Sequence, residues 1–282
     1  MGRYNRILVA VDGSEESLHA LREAFKLSSA WVTVATVAPF YEGDLSLVGV
    51  PDIHRLLQEP CDTALARAQE LAREAGAVIQ AVCERGVPHE RLIALAEKGT
   101  RDLIVMGPRG HGLVERVLVG SVTQRVIGFA RQDVLVVPPT GAIAWDRILV
   151  ATDGSPYSRM AVARALELAL AYGSELYVLA VLDLPARIRA EIPEAMAQLL
   201  AQSEQEVSNI KALAGERQIA VQGLVREGRA YQVIVEVAGE TGSNLIVMGS
   251  HGRTGLTRLL MGSVTERVIG LASCPVLVVK GK

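Results

Sequence analysis

The chain has 282 residues, of which 50% are hydrophobic and 4% aromatic, and its formal net charge at pH 7 is −2. This balance lacks the basic excess of a nucleic-acid-binding surface, so no nucleic-acid partner is expected. No stretch approaches the roughly 18 uninterrupted apolar residues of a transmembrane helix, and the N-terminal apolar run is too short for a signal peptide. The sequence therefore predicts a soluble protein with no membrane partner.

The predicted elements alternate between strand and helix. In the first half, strands are predicted at 6–11, 31–38, 77–84, 102–107 and 133–139, and helices at 15–28, at 52–75, from 88 and from 121. In the second half, strands are predicted at 147–152, 175–182, 219–227, 244–249 and 275–280, and helices begin near 156, 193, 230 and 263. The order of elements is thus repeated.

Continuous apolar strands separated by helices indicate a parallel sheet covered on both faces. The predicted fold class is α/β, with two tandem doubly wound domains of five parallel strands each. The domains are predicted at residues 1–141 and 142–282, and the Pro-Pro and Gly of residues 138–145 mark the joint between them. Because the apolar last strands would otherwise leave open sheet edges, we expect the two domains to pack as an intramolecular pseudo-dimer.

The three cysteines are far apart in sequence and show no C-x-x-C spacing: Cys61, Cys83 and Cys274. This pattern argues against a disulfide framework and against a zinc site. A cytoplasmic protein is therefore expected. The histidines also lack the spacing of metal ligands, so no metal site made of protein ligands alone is predicted.

A glycine-rich loop between a strand and a helix occurs twice with the spacing G-x2-G-x9-G-S. The positions are Gly107, Gly110, Gly120 and Ser121 and, 142 residues later, Gly249, Gly252, Gly262 and Ser263. Glycine allows backbone N–H groups to approach a ligand closely, and a helix start offers N–H donors with a partial positive charge. Each half is therefore predicted to hold a phosphate group.

An aspartate follows the first strand of each half, in V-D-G-S and T-D-G-S-P. Ligands of such sheets bind at the carboxyl ends of the strands, near the switch in strand order. We therefore predict that Asp12 and Asp153 face a Mg²⁺ ion or a ribose hydroxyl. The alternative is that they only bond local backbone at a helix start. Pro156 suits the first helical position, which makes Ser155 the predicted N-cap.

The chain resembles tandem members of the universal stress protein family, in its ATP-binding branch. The similarity rests on V-D-G-S and T-D-G-S and on L-I-V-M-G-x2-G-x9-G-S-V-T in both halves, and it covers essentially the whole chain. It implies a Rossmann-like fold of the adenine nucleotide alpha hydrolase-like type. It also implies ATP in each half, with Mg²⁺ bound through the nucleotide beside Asp12 or Asp153.

The resemblance implies two sets of nucleotide-contacting residues. The phosphate cradles are Gly107, Gly110, Gly120, Ser121, Val122 and Thr123, and Gly249, Gly252, Gly262, Ser263, Val264 and Thr265. The adenine surfaces are Ala10, Val37 and Met106, and Ala151, Val181 and Met248. Separately from the resemblance, Arg109 and His251 occupy equivalent loop positions and are candidate phosphate contacts. The alternative is that they are exposed loop residues without a ligand.

Two features of the loops qualify this interpretation. Pro108 stands where the second half has Ser250, and since proline lacks an N–H donor, the first site is predicted to be weaker. Both loops also lead into the pattern S-x-x-E/Q of a capping box. In that alternative, Ser121 and Ser263 cap a helix and bind nothing.

The predicted function is that of an ATP-binding stress-response or regulatory protein with an unidentified protein partner. The sequence has neither the lysine of a P-loop nor a nucleophile elbow, so it is not expected to be an enzyme beyond slow ATP hydrolysis. The alternative is a slow Mg²⁺-dependent ATP hydrolase or phosphotransferase. The loops carry cations that include Arg109, Arg253 and Arg258.

Overall fold

The computed structural model describes residues 4–27, 31–39, 53–110, 119–183, 193–252 and 261–281. The chain forms two compact units, Gly2–Pro139 and Thr140–Lys282. Between Val136 and Arg147 the described chain contains no helix or strand.

The first unit is a parallel sheet with helices between its strands. Its elements are β1 (Arg6–Ala10), α1 (Glu15–Ala24), β2 (Trp31–Ala38), α2 (Ile53–Glu74), β3 (Ile79–Arg85), α3 (Pro88–Lys98), β4 (Leu103–Met106), α4 (Ser121–Phe129) and β5 (Asp133–Val136). The strand order is β3-β2-β1-β4-β5, and these neighbours pair in parallel. The order changes direction between β1 and β4, which creates a switch point at that place.

The second unit repeats this topology. Its elements are β6 (Arg147–Thr152), α5 (Pro156–Tyr172), β7 (Glu175–Leu182), α6 (Pro193–Glu216), β8 (Val221–Glu227), α7 (Ala230–Glu240), β9 (Leu245–Gly249), α8 (Ser263–Leu271) and β10 (Val276–Val279). The strand order is β8-β7-β6-β9-β10, again parallel, and the switch lies between β6 and β9. The predicted α/β doubly wound fold class is confirmed.

The central strands form the core of each unit. Every residue of β4, β5, β9 and β10 is buried, as expected for strands covered by helices on both faces. The main difference from the predicted boundaries is α1, which ends at Ala24 rather than at residue 28. Phe25 is its C-cap and donates its N–H to the Leu21 and Glu23 carbonyls.

The helices that follow the second strand of each unit bury different side chains. The buried face of α2 carries Cys61, Ala64, Ala68 and Ala72, at helical spacing. The buried face of α6 carries the larger Val207 and Ile210 between Ser203 and Ala214. Small residues on α2 allow that helix to lie close to β2 and β3.

The expectation of unpaired cysteines is wrong for the first unit. Cys61 on α2 and Cys83 on β3 form a disulfide, with their Cα atoms 6.3 Å apart. The two residues are 22 positions apart in sequence, and only the packing of the helix on the strand brings them together. The cysteine pattern therefore gives no support to a reducing cytoplasm. Cys274 is a free thiol.

Among the helices that the structure describes, none is both long enough and apolar enough to cross a bilayer.

Candidate functional site

A cavity opens at the switch point of each unit, at the carboxyl ends of the central strands. Its volume is about 520 Å³ in the first unit and about 560 Å³ in the second. Both values lie within the range of small-molecule sites, roughly 300–1,000 Å³. The strand ends, the turn after the first strand and the glycine loop therefore surround space that a nucleotide-sized ligand could fill.

Every residue that the sequence assigned to a nucleotide site lines one of these cavities. The first is lined by Ala10, Asp12, Val37, Met106, Gly107, Arg109, Gly110, Gly120, Ser121, Val122 and Thr123. The second is lined by Ala151, Asp153, Val181, Met248, Gly249, His251, Gly252, Gly262, Ser263, Val264 and Thr265. The loop arginines Arg253 and Arg258 lie outside the described residues.

The aspartates lie in tight turns that begin the helices α1 and α5. Asp12 Oδ1 accepts hydrogen bonds from the N–H and the Oγ–H of Ser14, at 3.0 and 2.6 Å. Asp153 Oδ1 accepts the N–H of Ser155 at 3.0 Å. The local backbone bonding considered as an alternative is thus present, and it uses one carboxylate oxygen of each aspartate. Ser14 and Ser155 are the N-caps, so the prediction for Ser155 is confirmed.

The glycine of each turn has a left-handed backbone. Gly13 has φ 88° and Gly154 has φ 75°, a region that other residues rarely adopt. An arginine donates to each glycine carbonyl. Arg67 reaches Gly13 O from α2 at 3.2 Å, whereas Arg159 reaches Gly154 O from α5 at 2.8 Å.

A second serine completes each turn, and the sequence analysis missed it. Ser17 Oγ donates to Ser14 O at 2.9 Å and accepts the N–H of Asp12 at 3.3 Å. Ser158 makes the equivalent contacts at 3.1 and 3.4 Å. The repeated pattern D-G-S-x-x-S could have identified both residues. Because each turn bonds its own backbone, the aspartate is held in place without a ligand.

The first glycine of each loop is required by packing against the preceding helix. A Cβ on Gly107 would lie 3.1 Å from the backbone carbon of Glu16, and a Cβ on Gly249 would lie 2.8 Å from that of Tyr157. These distances leave no room for a side chain next to α1 or α5. The glycine therefore allows the loop to start close to the helix that carries the aspartate.

The last glycine closes the loop. Gly120 donates its N–H to Pro108 O and Gly262 donates to Ser250 O, both at 2.8 Å. Added Cβ atoms would lie 3.4 Å from these same carbonyl oxygens. Pro108 and Ser250 thus accept the same hydrogen bond, and the loops close alike although only the serine has an N–H.

The middle glycine faces the aspartate. A Cβ on Gly110 would collide with Asp12 Oδ2, and one on Gly252 would lie 2.9 Å from Asp153 Oδ2. The glycine loop and the aspartate turn therefore meet at this point of each cavity. A side chain here would displace the carboxylate.

Helices α4 and α8 begin at the loop, with Gly120 and Gly262 as their N-caps. Ser121 and Ser263 are the first helical residues, so the capping-box alternative, which needs a serine at the N-cap, is wrong. Both serines are exposed to the cavity side and have no hydrogen-bond partner among the described residues. They remain available to a ligand.

The threonine two residues later has a structural partner. Thr123 Oγ donates to Gly107 O at 3.1 Å, and Thr265 Oγ donates to Gly249 O at 3.0 Å. The hydroxyl thus ties the helix start to the end of the strand. Its proton is directed at the protein backbone rather than at the cavity.

Three further parts of the cavity walls were not anticipated from the sequence. Pro88 and Leu92 of α3 line the first cavity, and Ala230 and Ile234 of α7 line the second. The second cavity also has a wall from α6, formed by Leu199, Gln202, Ser203 and Glu206, whereas none of the described side chains of α2 lines the first.

The charged side chains around the two cavities also differ. Asp12 and Arg109 line the first cavity, whereas three carboxylates, of Asp153, Asp183 and Glu206, line the second. His251 replaces Arg109, lies 5.2 Å from the ring of Tyr157 and is within 3.1 Å of Ser250 Oγ. No group of three potential metal ligands occurs among the described residues.

The fold and the cavities define a tandem of doubly wound α/β domains, each with a glycine loop facing an aspartate turn. The sequence profile of the universal stress protein family matches residues 3–138 and 144–280, so the chain belongs to this family and carries its domain twice.

Individual relatives agree with this assignment. Universal stress protein MJ0531 of Methanocaldococcus jannaschii is 39% identical over 147 residues, which cover 50% of this chain and 85% of that protein. A universal stress protein of Mycolicibacterium smegmatis is 29% identical over 296 residues, covering 97% of this chain and 96% of the relative. The crystal structure of a universal stress protein from Archaeoglobus fulgidus matches 98% of this chain and 96% of its own with a TM-score of 0.73, and at 23% identity it supports the fold alone.

Proposed function

We propose that each half of the protein binds ATP and that the chain acts as a nucleotide-holding regulator in a stress response. One observation carries this proposal: in each half, all the residues expected to touch a nucleotide line one cavity at the switch point of the sheet. Adenine would contact the apolar ends of the central strands. The phosphates would lie at the glycine loop.

The start of α4 or α8 supplies the favourable electrostatics for the phosphates. The first N–H groups of a helix lack intrahelical acceptors and carry a partial positive charge. Ser121 and Ser263 add a hydroxyl with no described partner at the same place. A phosphate group at this position satisfies both sets of donors.

The donor set is compatible with Mg²⁺ as part of the bound nucleotide. Mg²⁺ is commonly held by one or two carboxylates together with substrate phosphates and water. Asp12 and Asp153 each place one carboxylate beside the glycine loop. Since the described residues offer no protein-only cluster, the metal would require the phosphates for its retention.

Retention of ATP is favoured over rapid turnover. Backbone N–H groups and a serine hydroxyl stabilise the ground state and the transition state alike, and such uniform binding does not raise kcat. Fast phosphoryl transfer generally adds a cation directed at the γ-phosphate and a residue that orients the nucleophile. Among the described residues, Arg109 is the only lysine or arginine that lines either cavity.

Nucleotide release from denatured protein tests the proposal. We expect purified protein to release ATP on denaturation, detected by mass spectrometry, and the double variant Gly110→Val/Gly252→Val to release none. Absence of any nucleotide from the wild type, together with no heat of ATP binding in calorimetry, would contradict the binding role and favour an adaptor function.

A turnover assay separates a holding role from an enzyme. We expect ADP formation far below about 1 s⁻¹, the lower end of ordinary kcat values. Multiple turnovers at enzyme-like rates that are lost in Asp153→Ala would instead show a Mg²⁺-dependent hydrolase or phosphotransferase.

A further inference from the structure

The wall that α6 adds to the second cavity carries three polar side chains. Gln202, Ser203 and Glu206 lie within slightly more than one helical turn and all line the cavity. Ser203 is 9% exposed, so more than nine-tenths of it is buried. The three polar side chains therefore give one wall of this cavity a hydroxyl, an amide and a carboxylate, which can all form hydrogen bonds with a ligand.

These side chains have no hydrogen-bond or ion-pair partner in the part of the chain that the structure describes. Their hydrogen-bonding capacity is therefore available to a ligand in the cavity.

The first half lacks the equivalent groups. When the halves are aligned on their third strands, 142 residues apart, Gln202 corresponds to Pro60, Ser203 to Cys61 and Glu206 to Ala64. Cys61 is committed to the disulfide with Cys83, and Ala64 is buried. The polar wall is therefore a feature of the second cavity.

The order of the strands indicates which end of a ligand meets this wall. The glycine loop follows β9, Asp153 follows β6, and α6 packs on β7 and β8. Since the order is β9-β6-β7-β8, a nucleotide with its phosphates at α8 extends across β6 toward β7. The base, not the phosphates, is the part that reaches α6.

We propose that Glu206, Ser203 and Gln202 form a subsite that recognises the amino-bearing edge of adenine in the second half. An ionised carboxylate only accepts hydrogen bonds, so Glu206 suits the exocyclic amino group. The hydroxyl of Ser203 and the amide of Gln202 can donate to the adjacent ring nitrogen. This inference rests on the proposed nucleotide binding and adds that the two halves select the base differently.

The test compares ATP with purine riboside 5′-triphosphate, which lacks the 6-amino group. Calorimetric titration of the full chain carrying Gly110→Val measures binding to the second cavity, because this variant is expected to disable the first. The variant Gly252→Val measures binding to the first cavity for the corresponding reason. In the second cavity we expect ATP to bind about tenfold or more tightly than the analogue, as for a hydrogen bond to a charged group. We expect a smaller ratio in the first cavity.

Substitutions on α6 identify the groups responsible. Glu206→Ala is expected to reduce the ratio in the second cavity to near one, and Glu206→Gln, which keeps an acceptor oxygen, to leave it intermediate. Glu204→Ala removes an exposed carboxylate that does not line the cavity and is the matched control, with no change expected. Equal ratios in the two cavities, or an unchanged ratio in Glu206→Ala, would overturn the subsite while leaving nucleotide binding intact. No nucleotide binding to the second cavity at all would overturn the proposed function of that half as well.

Discussion

The two halves agree at the ends of their strands and differ in the helix that follows the second strand. The hydrogen bonds that both aspartate turns make, and those from the last glycine of each loop, agree to within a few tenths of an ångström. In contrast, α2 buries alanines and a disulfide, whereas α6 exposes polar groups to the cavity. The two halves thus share the aspartate turn and the glycine loop, and they differ in the cavity wall next to the helix that follows the second strand.

The largest effects are expected from the middle glycines. Gly110→Val and Gly252→Val each place a side chain against the aspartate of their own half. We therefore expect each to abolish nucleotide binding in that half and to leave the other half unaffected. Titration calorimetry with ATP measures the number of sites and the affinity of each.

The same titration shows which of the two sites binds ATP more tightly. Because Pro108 lacks an N–H, we expect the second site to be tighter, so that Gly252→Val removes the tighter binding and Gly110→Val does not. Equal affinities, or loss of the tighter site in Gly110→Val, would reverse this order. The different charges of the two cavities, Asp12 and Arg109 in the first and three carboxylates in the second, would then be the better explanation of their relative affinities.

The disulfide predicts a stability difference confined to the first half. Cys61→Ser removes a crosslink between residues that are 22 positions apart in sequence. Because this crosslink restricts the unfolded chain, it contributes about 3 kcal/mol to the unfolding free energy. Urea unfolding with and without reductant measures this contribution. The wild type should lose this stability in reductant, and the variant should show no reductant effect; a wild type indifferent to reductant would refute the crosslink.

A serine at an N-cap and a serine at the first helical position should contribute differently to stability and to ATP affinity. Ser155→Ala removes an N-cap that accepts the Ser158 N–H at 3.1 Å, so we expect a loss of about 1 kcal/mol in unfolding free energy. Ser121→Ala and Ser263→Ala remove no cap, so their stability should change by less than about 0.5 kcal/mol while ATP affinity falls. Chemical denaturation and calorimetry on the same samples separate the two effects. A stability loss in Ser263→Ala as large as in Ser155→Ala would contradict this distinction.

The smallest expected effect concerns the reactivity of the Cys274 thiol. Burial raises the pKa of Cys274 to about 11, so at pH 8 little of it is thiolate, and the thiolate is the reactive form. After reduction, we expect iodoacetamide to modify Cys274 slowly at pH 8 and faster as the pH rises toward 11. Peptide mass spectrometry follows the modification of this residue. Rapid alkylation of Cys274 at pH 8 would show that it is not protected.

Much of the fold and most of the site follow from local patterns. Strands such as Leu103–Met106 are continuous apolar runs, which a sheet covered on both faces requires. The glycines and aspartates recur at one spacing, and the carboxyl ends of parallel strands bring them together without any long-range information. This is why each of these residues lines a cavity.

The parts that could not be predicted depend on packing between elements that are distant in sequence. The wall residues Leu92 and Ile234 are ordinary apolar positions on helices, and nothing in their pattern distinguishes a cavity from a core. The disulfide required knowledge that the buried face of α2 meets β3 at Cys83. The true reason for Gly107 and Gly249, a close approach to a neighbouring helix, is likewise visible only in three dimensions.

The arginines that bond the turn glycines have a consequence for comparing relatives. Arg67 and Arg159 satisfy the same carbonyl in the two halves, yet one comes from α2 and the other from α5. In an alignment of the halves, Arg67 falls opposite Asn209 and Arg159 opposite Leu18, so both columns read as variable. A contact has been kept while the residue that makes it has moved to another helix. Column-by-column conservation across this family will therefore undercount the interactions that hold the aspartate turn.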